Sequence, residues 1–134
     1  MSDLTYSNYF SKLVEQLPEF REYYEEHLKD YDELLNYLLM DDFRRYVQER
    51  CLQLQEINND DVIIKILKIL EEGMKSPDKK LQELISIGFL ESLYLDCTYE
   101  KYPYQTIYLR LKSLMEPELL SELKGWEDFY IERQ

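Results

Sequence analysis

The sequence predicts an all-α protein: six or seven helices in a compact bundle or a short α-solenoid-like stack, forming one domain over residues 1–134. Three observations carry that expectation. Apolar residues recur at three- and four-residue intervals along most of the chain, the period of a half-buried helix. Only three Gly and four Pro are present, too few for the tight turns of an all-β fold. A chain of 134 residues, 45% hydrophobic, is long enough to bury about two-thirds of its unfolded surface in one core.

A first helix is predicted from Ser7 to Gln16. It stops before Pro18, because the residue preceding a proline is pushed out of the α region. A second, short helix covers Glu19 to His27. Asp30 then offers an N-cap with Glu33 three residues on, a capping box, followed by Leu34, Leu35, Leu38 and Leu39 at helical spacing. Asp41-Asp42 is expected to break or restart the helix, since either residue is a good cap. Beyond it Phe43, Tyr46, Val47, Cys51 and Leu54 share one face, and Arg44, Arg45, Gln48 and Glu49 the other. The polar run Ile57 to Asp61 is turn material.

The segment DVIIKILKILEEG has one narrow polar stripe, Asp61, Lys65, Lys68 and Glu72. It is expected as the central helix, ending at Gly73. Ser76 should cap the next helix, with Pro77 in its first position and Asp78 favoured by the dipole. Gly88 falls inside that helix's apolar stripe, beside Leu84, Ile85 and Phe89. A glycine there costs about 1 kcal/mol relative to alanine, so it reads as a packing notch for the Val62–Leu70 segment. After Leu95 the stretch DCTYEKYPY reads as a loop. Two amphipathic segments follow, Ile107 to Met115 and Glu118 to Lys124, separated by Glu116-Pro117 and closed by Gly125.

Recognisable catalytic chemistry is missing from the pattern. His27 is the only histidine, and the residue three before it is Tyr24, so no Glu-x-x-His metal pair forms. It is expected on the surface near a helix end. There is no HExxH, EF-hand loop, Gly-rich phosphate loop or nucleophile elbow. Cys51 and Cys97 lack metal or redox spacing and read as small apolar fillers in a reducing cytoplasm. Adjacent acidic pairs such as Glu25-Glu26 point about 100° apart on a helix and do not share a proton. No catalytic residue, cofactor or metal is therefore expected. The N-terminus lacks the pattern of a secretory signal, and no apolar run approaches the roughly 18 residues of a membrane span.

Two compositional features remain. With 28 acidic against 16 basic residues the formal charge is −12, which repels nucleic acid phosphates and anionic membranes and would steer a basic protein partner. The bland alternative is that the acidity serves solubility. Tyrosine occurs 13 times. Tyr23 and Tyr24 are interleaved with Glu22, Glu25 and Glu26, and Tyr99, Tyr102 and Tyr104 cluster late in the chain. Tyrosine buries a ring while keeping its hydroxyl wet, so these eight residues are the candidate partner-binding set. The competing explanation is that the rings cover the rim of a small core.

LLNYLLMDDFRRYV (Leu34 to Val47) and LEEGMKSPDKKLQELISIGFLESL (Leu70 to Leu93) together resemble a bacterial family of small helical proteins of unassigned activity. The shared pattern is an apolar run, an acidic break and an aromatic helix. A Glu-rich helix end, a Ser/Asp turn and the run Gly88-Phe89-Leu90-Glu91 follow. That family in turn resembles the immunity proteins of bacterial toxin systems. The resemblance covers about half of the chain and carries over no binding residue. It implies a non-enzymatic protein-binding domain, an immunity protein occluding a basic toxin. The rival expectations are a regulatory or scaffold bundle and a bundle holding a small molecule in a dry pocket.

Overall fold

Apolar spacing is translated directly into helices. In the computed structural model, which describes residues 3–54, 60–99 and 104–133, seven helices form and no strand is found among the described residues. The first, α1 (Tyr9–Gln16), buries Tyr9, Phe10, Leu13 and Val14 along one face. It ends before Pro18, and Pro18–Phe20 makes a single 3₁₀ turn into α2 (Arg21–Tyr31).

The next boundary departs from the sequence expectation. Asp30 lies inside α2, so the capping box with Glu33 does not form. Instead Asp32 turns the chain in the left-handed region at φ 55°, a conformation that Asp tolerates better than most residues. The following helix, α3 (Asn36–Gln53), runs without interruption through Asp41-Asp42. Asp41 stays helical because its carboxylate is occupied three and four residues on, by Arg44 at 2.5 Å and by Arg45. Of the face expected to be polar, Arg44 and Gln48 are buried, so α3 is covered more broadly than its periodicity suggests.

α4 (Asp61–Met74) starts from Asp60, whose carboxylate accepts the Ile63 N–H at 2.9 Å. The same carboxylate receives Arg50 of α3 at 2.9 and 3.0 Å, tying the two helices together. Residues 57–59 of the expected turn lie outside the described residues. Asp61, Lys65, Lys68 and Glu72 form the exposed stripe as anticipated. Gly73 does not stop the helix. It lies within it, buried, where a Cβ would approach Ile85 Cδ1 to 2.3 Å and Tyr9 Cε1 to 3.0 Å, so it is a notch between α4, α5 and α1.

Three consecutive stretches, Lys79–Ile85, Ser86–Glu91 and Ser92–Tyr99, form one rod, α5, whose middle piece is widened to π geometry. Asp78, not Ser76, caps it, accepting the Lys80 N–H at 3.0 Å. Ser76 instead donates to the Leu4 carbonyl at 2.6 Å, and Asp78 also accepts the Tyr6 N–H at 2.7 Å, so this turn fastens the N-terminal segment. Gly88 is buried as expected, but the chain it admits is α3: a Cβ would lie 3.0 Å from Met40 Cγ. The expected loop after Leu95 begins later, since helix persists to Tyr99. α6 (Tyr104–Leu114) and α7 (Pro117–Glu132) complete the fold. Gly125 lies mid-helix in open space, and nothing in the structure explains a glycine there.

The packing centre is α5, which touches α3, α4, α6 and α7, rather than α4. Tyr9, Phe10, Phe20, Phe43 and Phe89 are the largest fully buried side chains. The buried Glu71 of α4 accepts the N–H groups of Glu118 at 3.1 Å and Leu119 at 2.8 Å, closing the otherwise open amides at the start of α7. No helix is long and apolar enough to cross a membrane among the described residues.

Candidate interaction face on α2

α2 has the sequence REYYEEHLKDY and buries a single residue, His27. Tyr24 and Leu28 are half-buried, while Glu22, Tyr23, Glu25 and Glu26 are exposed. Residues 15–33 hold eight acidic side chains against two basic ones, a net −6 of the whole chain's −12. All eight of those acids are exposed.

Tyr23 is 44% exposed, yet it is not loose. Its ring stacks on buried Phe20 at 5.2 Å and 12°, and Phe20 meets Phe43 edge-on at 5.0 Å. Phe43 in turn reaches Phe89 at 6.0 Å. Tyr46 flanks the outer end, 5.8 Å from Tyr23. The exposed ring is thus the last member of an aromatic column rooted in α5.

His27 is buried, not on the surface as expected. Its Nε2 accepts the Leu35 N–H at 3.0 Å, so the imidazole closes the backbone amide just ahead of α3. Nδ1 then carries the proton and has no partner among the described residues. The Tyr31 ring covers it at 4.9 Å and is itself 51% exposed. The spacing Phe20, Tyr24, His27, Leu28, Tyr31 marks His27 as inward-facing and was the signal to follow.

Of the late tyrosines, Tyr104 opens α6. Tyr102 and the side chain of Tyr99 lie outside the described residues. Tyr104, half-buried, lines a groove of about 240 Å³ with Arg45, Gln48, Glu49 and Asp96. Beneath it Arg44, 4% exposed, donates to Gln48 at 2.6 Å, to Asp41 and to Asp96. This cluster binds α3 to α5, and its carboxylates are already engaged by arginine.

Other chemistry is thinly represented. Cys51 and Cys97 are buried and free, and burial pushes both thiols up to about 12, which keeps them protonated and unreactive. Among the described residues no group of three or more His, Cys, Asp or Glu side chains is placed to hold a metal. A depression of about 620 Å³ is open and bordered by Asp3, Lys12, Glu15, Glu72 and Lys75, with Leu4 and Gln16 between them. Such a charged rim differs from the mostly apolar lining of small-molecule pockets.

No curated protein and no solved structure matches the chain. A family does: residues 10–131, which include α2 and almost all of the helical fold, match the one described as Domain of unknown function (DUF7674), and the chain belongs to that family.

Proposed function

We propose that the chain is a non-enzymatic protein-binding domain that docks a basic protein through α2, and that it serves as a bacterial, cytoplasmic immunity protein occluding a toxin such as a nuclease. The observation that carries this reading is the economy of α2: one buried residue, a dense acidic surface and a tyrosine held rigid by the core. In the proposed mechanism Glu22, Glu25 and Glu26 draw the partner in over the electrostatic range. Tyr23 then supplies short-range contact that resists dissociation, with Tyr24 supporting it from its half-buried position.

Co-purification from the native host supplies the partner, and hydrogen–deuterium exchange of the chain with and without it tests the reading. Amides of residues 21–31 should exchange more slowly in the complex. Unchanged exchange across α2, with protection elsewhere, would remove α2 as the docking face.

A further inference from the structure

A second surface lies around the widened turn of α5. Tyr37 of α3 lies against α5 at Gly88, its Cδ1 3.5 Å from where a Cβ would be, an ordinary van der Waals distance. Tyr37 and Ile87, the residue next to Gly88, are both 42% exposed. Burial raises the Tyr37 hydroxyl pKa, with smaller contributions from Tyr6 and Glu83, so the Glu83 carboxylate is within electrostatic reach of that ring. Glu83 and Ile87 continue into a groove of about 240 Å³ that they share with Met74, Ser86, Glu122 and Trp126. There the indole N–H donates to Ser86 Oγ at 3.0 Å, and Ser86 donates to Glu122 Oε2 at 2.5 Å. One edge of the indole and one carboxylate oxygen are thereby fixed, while Glu122 remains only partly covered. Widened π turns recur at functional sites in helices.

We propose that this groove is an anchor pocket for a lysine or arginine side chain on a basic peptide segment of the partner. The inference rests on the docking reading above and names a contact that α2 does not supply. The apolar walls of Met74, Ile87 and Trp126 suit the aliphatic stem of such a side chain, and the indole face attracts its cation. Glu83 and Glu122 receive the charged head. Lys79, the one cation lining the groove among the described residues, leaves a net negative charge against those two carboxylates. A carboxylate-bearing segment would meet that charge with repulsion, and a purely apolar one would leave it unmatched.

Trp126 is the sole tryptophan, so its emission reports on this groove alone. The probe is a short amphipathic peptide amide of lysine and leucine carrying a dye for anisotropy, with its glutamate–leucine counterpart as control. The lysine peptide should shift Trp126 emission saturably and the glutamate peptide should not. Glu83→Gln with Glu122→Gln should weaken binding roughly three- to tenfold. Ile87→Lys, at an exposed position that leaves the Ser86–Glu122 bond intact, should weaken it comparably. An equal response to both peptides, or unchanged affinity in these variants, would overturn the proposal. Binding seen by anisotropy without any change at Trp126 would sink the groove and leave α2 standing. Loss of binding in the groove variants, with Glu22, Glu25 and Glu26 replaced by Gln at no cost, would do the reverse.

Discussion

Two regions of this molecule share a composition and use it in opposite ways. Around α7, tyrosines and glutamates satisfy one another inside the chain. Tyr108 donates to Glu127 at 2.5 Å, Lys112 holds the same carboxylate at 2.8 Å, and Tyr130 donates to Glu91 while stacking on Tyr94 at 5.4 Å. Burial and the adjacent Glu127 both raise the Tyr108 hydroxyl pKa, so it remains a donor. On α2 the rings of Tyr23 and Tyr31 find other rings, His27 among them, and the neighbouring Glu22, Glu25 and Glu26 stand in solvent. The difference teaches that a Tyr/Glu-rich stretch leaves its acids and rings open to solvent only where the chain itself has not already consumed both groups.

The largest effect should come from the root of the α2 column. Phe20→Ala removes a fully buried ring that supports Tyr23 and should destabilise by about 3–5 kcal/mol in urea unfolding. A loss under about 1 kcal/mol would show the column is not anchored. Next, Glu71→Ala leaves the buried Leu119 amide without its acceptor and should cost about 1–3 kcal/mol, with Glu71→Gln milder. Equal stability in Glu71→Ala would mean that α7 is held by its apolar face alone.

Asp60 sharpens the contrast from the acid side. Its hydrogen bond with Arg50, set against a smaller penalty from burial, holds its carboxyl below the usual range. A lowered native value means the contribution is complete above the unfolded carboxylate pKa of about 3.9 and is lost as pH falls through the native one. Asp60→Ala, which also removes the α4 cap, should cost about 1 kcal/mol at neutral pH, the gap closing in acid. A gap that is constant with pH would contradict the pairing. The smallest effects compare the two regions directly: Tyr108→Phe should cost about 1 kcal/mol, and Tyr23→Phe less than about 0.5, by thermal unfolding. Equal costs would erase the distinction.

Periodicity made the helices legible, and the boundaries failed where a long-range partner overrides local preference. Asp41-Asp42 looks like a cap until Arg44 and Arg45 occupy it. Gly73 looks like a stop until Ile85 and Tyr9 are seen to need its missing side chain. Gly88 was correctly read as a notch, but its partner is α3, because spacing identifies an apolar face without saying what crosses it. At the candidate face the exposed acids and Tyr23 were readable from their interleaving. The burial of His27 follows from the apolar spacing of α2, but its acceptance of the Leu35 amide does not. The Trp126 groove escaped as well, being assembled from helices far apart in sequence.

Association kinetics with the identified partner test the central claim most directly. Charge screening acts over about 8 Å at physiological ionic strength, so steering by α2 should fade as salt rises. The association rate should fall with salt in the native chain. It should start lower and fall less steeply when Glu22, Glu25 and Glu26 are replaced by Gln, whereas Tyr23→Ala should chiefly speed dissociation. An association rate indifferent to both salt and the triple replacement would mean that the acidity of α2 serves solubility alone, and the docking account would fail.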